Sequence, residues 1–247
     1  MTYGQALARA RNEADRIDAM TGEAGGGEPV DIAVRAPAEE GPLALEVSAL
    51  AGTGFDAVSF AVRRGEVVGL VGASTSGRAE LAEAIVGLRK PRSGTVRVFA
   101  REGVAAVKLP YGDAEAALDA GIGCVPKARQ REAQVLGRSL SGGDRQKVVI
   151  ARALATDPAV LVFIDLTLGV DVKSKDVLLA QIDRAREDGR AVIVSSGEPD
   201  DLRSCDRVFA MFRGRIVKAF GAFWADHELI AESKEAIAMK LGLFGGE

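Results

Sequence analysis

Two stretches of this sequence have the residue types and spacing to hold an anion. The first is Gly72-Ala73-Ser74-Thr75-Ser76-Gly77-Arg78-Ala79, with its outer glycines five apart. It follows an apolar run ending at Val71 and leads into a segment in which Leu81, Ile85 and Leu88 share one helical face. A strand, a glycine-bounded loop and a helix in that order let consecutive backbone N–H groups and the helix N-terminus converge on one phosphate. Arg78 and Ala79 fall where such a loop usually carries a lysine and a hydroxyl. Arginine keeps the charge without the compact ammonium, and alanine offers magnesium no oxygen. Taken alone, the spacing fits a plain strand–helix turn equally well. The second stretch is Leu140-Ser141-Gly142-Gly143, followed by Asp144-Arg145-Gln146-Lys147 and Ala151-Arg152-Ala153-Leu154. A serine hydroxyl and two amides without side chains at a helix N-terminus would make another anion site, with a glycine-rich helix cap as the plainer alternative.

These residues need a frame, and the chain supplies an α/β pattern. Apolar runs at 67–71, 160–164, 191–195 and 208–212 predict buried strands of a largely parallel sheet. Val177, Leu178, Ile182 and Ala185 predict a helix that stops at Asp188-Gly189 and completes a strand–helix–strand unit. Segments 45–47, 58–62 and 95–99 alternate more and predict a small antiparallel flank. Upstream, Leu7, Ala10, Ala14 and Ile17 mark a short amphipathic helix. The glycine- and proline-rich stretch from 21 to 42 predicts a linker. Residues 1–42 are therefore expected to be a helix plus linker and 43–247 the folded domain, closed by a helix at 226–241.

Composition narrows the partners. A net charge of −3 and a pI near 5.5 lack the broad positive field that a nucleic-acid backbone or an anionic membrane surface attracts. The apolar runs fall far short of the roughly 20 residues a membrane span needs. Cys124 and Cys205 are far apart, with no metal-ligand spacing, which suits a reducing cytoplasm.

The Leu140-Ser141-Gly142-Gly143 core, with Gln146 and Arg152 in the segment after it, resembles the signature motif of ATP-binding cassette (ABC) transporter nucleotide-binding domains. Other landmarks of that family follow in order. Residues 158–164 resemble the strand before its second nucleotide motif, and Gly169-Val170-Asp171-Val172 resembles the loop across its dimer interface. Val194-Ser195-Ser196 resembles the strand leading to its switch position, and Arg213-Gly214-Arg215-Ile216 its closing strands. Arg78, Gly121-Ile122-Gly123 leading to Val125-Pro126, and the Gly-Val-Asp-Val loop are most similar to the second, degenerate cassette of simple-sugar importers. The resemblance implies a P-loop NTPase-type fold with ATP as ligand. Residues 72–79 would cradle the phosphates, while Leu140, Ser141, Gly142, Gly143 and Asp171 would complete a nucleotide site on a partner cassette. It further implies membrane permease subunits, a sugar-binding protein acting indirectly, and a place on the inner face of the plasma membrane.

Against that family the sequence departs at the positions that do chemistry. Aligning on Thr167 and Gly169 puts Ile164 at the magnesium-binding aspartate and Asp165 at the general base, while sliding by one residue restores the aspartate and loses the base, so in either register one carboxylate stands where two belong. Lys127 stands where a residue sensing magnesium and water belongs, and Gly197 stands at the switch position. Twelve residues separate Lys127 from Leu140. Two average helices need about 22 residues, so the helical subdomain that docks on membrane subunits is expected to be largely missing. Lys127, Arg129, Arg131 and Arg138 then form a solvated basic run. His227 reads as a surface or packing residue, and Phe55 or Phe60 either stacks an adenine or fills the core. Two functional readings follow: an ATP-binding subunit that lends its signature to a partner, or a non-hydrolysing nucleotide-binding module no longer coupled to transport.

Overall fold

The structure, a computed structural model, describes residues 41–100, 103–126, 152–168 and 172–221. The 3–20 segment, most of the linker, the basic run, the signature, Asp171 and the tail from 226 lie outside the described residues.

Two sheets build the body. Strands β1 (Leu43–Gly52), β2 (Phe55–Arg63), β4 (Ser93–Val98) and β5 (Val107–Lys108) pair antiparallel in the order β2-β1-β4-β5. Strands β3 (Val67–Val71), β6 (Ile122–Val125), β7 (Val160–Ile164), β8 (Ala191–Ser196), β9 (Arg207–Phe212) and β10 (Arg215–Phe220) form a six-stranded sheet ordered β10-β9-β3-β8-β7-β6. It is parallel except for the β9–β10 hairpin. Helices α1 (Arg78–Ile85), α2 (Ala114–Asp119) and α3 (Val172–Glu187) and a short helical turn, Pro199–Leu202, flank these strands.

β3, β7 and β8 are buried at every position, which is why their sequences read as continuous apolar runs: a parallel sheet covered on both faces leaves no strand side for water. Alternate residues serve two cores. Val68, Leu70, Val162, Ile164 and Ile193 pack with Leu81 and Ile85 of α1 and with the antiparallel sheet. Val67, Val71, Phe163, Val192 and Val194 pack with Leu178, Ile182 and Ala185 of α3. The antiparallel flank, the parallel strands and the helix ending before Asp188-Gly189 thus match the sequence pattern.

Three details differ from it. The face marked by Leu81, Ile85 and Leu88 stops short, because α1 ends at Ile85 and Leu88 is 55% exposed. Gly87 turns the chain there with φ +77°, and a side chain on it would run into the Asp113 carbonyl. Helix α2 carries little periodicity but has a cap: Asp113 Oδ1 accepts from the Ala116 N–H at 2.9 Å. β5 and β6 are too short, and β6 too rich in glycine and cysteine, for β-propensity to mark them.

Candidate functional site

The carboxyl ends of β3, β8 and β7 lie side by side, since Leu70 and Ile164 both pair with Ser195. That edge of a parallel sheet is where α/β folds bind ligands. It brings three sequence-distant pieces together: the 72–79 loop, Asp165 and the Ser195-Ser196-Gly197 turn.

The loop is held from both sides. Ala73, Ser74 and Thr75 are exposed, whereas Ser76, Gly77 and Arg78 are buried. Ser76 donates its N–H to the Ala73 carbonyl at 2.9 Å, and its own carbonyl accepts from Gly214 N at 2.8 Å. Gly77 has φ +90°, and a Cβ there would strike the carbonyl oxygen of Gly54 in the β1–β2 turn and sit 3.1 Å from Gly214 Cα in the β9–β10 turn. The two hairpins also touch each other, through Asp56 N to Gly214 O at 2.8 Å. The first amides of α1 have no acceptor within the helix, and that of Arg78 turns to the loop, donating to Ser76 Oγ at 3.4 Å.

Arg78 does not extend freely from this loop. The residue is 4% exposed and its guanidinium folds across the loop, with Nε donating to Gly72 O at 2.9 Å. Nη1 donates to Ser195 Oγ at 3.1 Å and pairs with Asp165 Oδ1 at 2.7 Å. Asp165, 7% exposed, is the first residue beyond β7 and sits in the left-handed region at φ +48°, which aspartate tolerates better than most residues. Its N–H donates to Ser195 O at 2.8 Å. Gly197 leaves the space above the guanidinium open, since a Cβ there would stand 3.0 Å from Nη2. Ile164 is buried in the apolar core shared with α1. The structure therefore joins Arg78, Asp165 and Gly197 in one cluster. Leu140, Ser141, Gly142, Gly143, Asp171 and Lys127 lie outside the described residues.

A second cluster escaped the sequence pattern. Asp201, in the short helical turn Pro199–Leu202, is buried, and its Oδ2 accepts from Thr167 Oγ1 at 2.5 Å and Ser196 Oγ at 2.6 Å. Lys175 Nζ lies 2.8 Å from Asp201 Oδ1 and donates to Glu198 Oε2 at 3.0 Å. Oδ1 itself has no hydrogen-bond partner, so the Lys175 contact there is a charge contact and not an aligned bond. Burial pulls the Lys175 pKa down, but the contact with Asp201 and the bond to Glu198 together outweigh it and hold the ammonium above the usual lysine value. Asp201 thus ties the loop after β7 to the loop after β8. Asp201→Ala leaves two buried hydroxyls unpaired and is expected to cost about 3 kcal/mol, measured by urea unfolding.

Phe55 and Phe60 are both buried, and Phe60 packs on Phe209 with ring centroids 5.5 Å apart, so both belong to the core.

Comparison with known proteins fits this geometry. Residues 55–134 match the family described as ABC transporter. The fold is similar to an ATP-binding cassette of an ABC transporter in its ADP conformation, with TM-score 0.62 and 19% identity, covering 83% of this chain and 99% of that one. It is likewise similar to a dimeric cassette bound to ADP and Pi, with TM-score 0.59 and 20% identity, covering 73% and 100%. The chain has the P-loop NTPase fold and belongs to the ABC transporter ATP-binding family.

Within that family its curated relatives are named ribose import ATP-binding proteins. One from Rubrobacter xylanophilus is 35% identical over 246 positions, covering 79% of this chain and 46% of the relative. Another, from Rhodococcus jostii, is 31% identical, covering 81% and 49%. The chain spans about half the length of the curated relatives it matches. The first alignment is 246 positions long yet takes up 79% of a 247-residue chain, so the relative carries residues with no counterpart here. Among the described residues, no helix is long and apolar enough to cross a membrane.

Proposed function

We propose that this chain is an ATP-binding cassette of a sugar importer whose own phosphate loop holds ATP with little or no hydrolysis, while its signature serves a nucleotide bound by a partner cassette. The observation that carries the reading is the Arg78–Asp165 pair. The carboxylate standing at the general-base position is 2.7 Å from a guanidinium, and a base held by a buried cation is poorly placed to draw a proton from water. Asp165 acts here as the counter-ion of Arg78. The loop amides and the start of α1 remain as the phosphate cradle. Ser141, Gly142, Gly143 and Asp171 are assigned to the partner's site, which makes the assembly a heterodimer. Membrane permease subunits are its further partners, which sets the chain on the inner face of the plasma membrane, and a sugar-binding protein acts through them. The names of the relatives support ribose or a similar sugar as cargo.

The isolated chain is expected to bind ATP and to release almost no phosphate. Equilibrium binding and a phosphate-release assay test both halves. Turnover near 1 per second, within the usual range of enzymes, would overturn the reading.

Two observations favour a second reading, in which the chain binds nucleotide without coupling to transport. The alignment gap and the short 127–140 segment both suit loss of the subdomain that docks on membrane subunits. Co-purification with the permease decides between the two.

A further inference from the structure

Magnesium is the metal this family's nucleotide sites imply, and the residues present do not fit it. It takes near-octahedral oxygen ligands, usually one or two carboxylates and hydroxyls beside the substrate phosphates. The loop position that would give a hydroxyl is Ala79, and Ile164 at the strand end is sealed in the core. Asp165, the carboxylate at this edge of the sheet, is bonded to Arg78 Nη1 at 2.7 Å. Glu80 packs on the β1–β2 turn, its Cγ 3.1 Å from where a Cβ on Gly54 would stand, and among the described residues its buried Oε2 has no hydrogen-bond partner, so it leaves a single carboxylate with no hydroxyl beside it.

We infer that this site takes its nucleotide without magnesium, the Arg78 guanidinium supplying the positive charge that a metal would otherwise bring to the phosphates. The inference rests on the ATP-binding reading above and deepens it. Three contacts fix the guanidinium: Gly72 O, Ser195 Oγ and Asp165 Oδ1. They use Nε and Nη1, and among the described residues Nη2 has no hydrogen-bond partner while it faces the space over Gly197. A guanidinium fixed through Nε and Nη1, with Nη2 toward the exposed Gly197, is set to donate to a phosphate oxygen in a fixed fork geometry. Gly197 is part of the same arrangement, because a side chain there would press on Nη2 at 3.0 Å. Asp165 has two functions in this arrangement: it balances the buried cation while the site is empty and holds the fork in place when phosphate arrives.

The test is calorimetric titration of the full chain with ATP, once in excess magnesium and once in EDTA. Affinity in magnesium is expected to be no tighter than in EDTA. The double variant Arg78→Gln with Asp165→Asn, which removes both charges of the pair, should weaken binding at least tenfold in both buffers. Arg78→Lys should retain more affinity than that double variant. Binding tightened tenfold or more by magnesium would overturn this inference while leaving the ATP-binding reading intact. Undiminished binding by the double variant would also overturn it, by removing Arg78 from the site. Absence of binding in both buffers would overturn the inference and the ATP-binding reading together.

Discussion

Gly77→Val is expected to abolish ATP binding, by more than 100-fold in affinity, and to lower the melting temperature as well. Valine at φ +90° meets a backbone region costing roughly 1–2 kcal/mol for any L-residue, and β-branching makes it worse. The larger effect is steric. The new Cβ would strike the Gly54 carbonyl, which is backbone and cannot swing aside as a side-chain end can. The loop would have to lift away from both hairpins, breaking the Gly214 N to Ser76 O bond and moving the amides that define the cradle. Arg78→Ala should weaken binding less, because it removes one cation and leaves those amides where they are. Titration with ATP and a thermal melt check the two effects separately. Wild-type affinity and melting temperature in Gly77→Val would mean that residues 72–79 are a strand–helix turn with no ligand.

The second large effect concerns the signature, in a heterodimer reconstituted with an intact cassette. Ser141→Arg is expected to cut ATPase activity about 100- to 1,000-fold, the range seen when one donor to a transition-state charge is lost. Gly142→Asp should act similarly by setting negative charge against the partner's γ-phosphate. Asp165→Asn should leave kcat largely unchanged and show instead as a loss of stability of about 3 kcal/mol, because it strips the counter-ion from a buried arginine. Rates are compared at saturating ATP and well below the melting point of the weakest variant, so that binding and unfolding are not read as chemistry. If Asp165→Asn silences turnover as fully as the signature variants, Asp165 is a working base and the division between the two sites is wrong.

The frame was largely legible in the sequence, and the contacts inside the site were not. Val67–Val71 and Val160–Ile164 announce themselves because burial on both faces demands unbroken apolar runs. The loop shows through its glycines, and Arg78, Ala79, Ile164, Asp165 and Gly197 stand out as departures from a pattern. That Arg78 and Asp165 cancel one another required the strand order, because it is β8, between β3 and β7, that sets their distance. Asp201 was hidden for a different reason. It follows Pro199 and Asp200 in what reads as an acidic, solvated turn, yet the Asp200 side chain is 59% exposed and Asp201 is 2% exposed. Periodicity carries no information over four residues, so only a tertiary fold distinguishes the two aspartates.

The grip of two hairpins on Gly77 also has a temporal meaning. The phosphate loop is encoded early, but β3 is paired on either side by β8 and β9, and the loop is closed by Gly214. Such long-range pairings are slow to form, since loop-closure entropy is lost before any contact rewards it. On the ribosome, where chains grow at about 5–20 residues per second, the stretch that carries residues 72–79 emerges several seconds before the strands that shape it. The loop can therefore take its final shape only after the β9–β10 hairpin has emerged and docked. A nascent chain halted before Gly214 would expose the loop in sequence but not in shape.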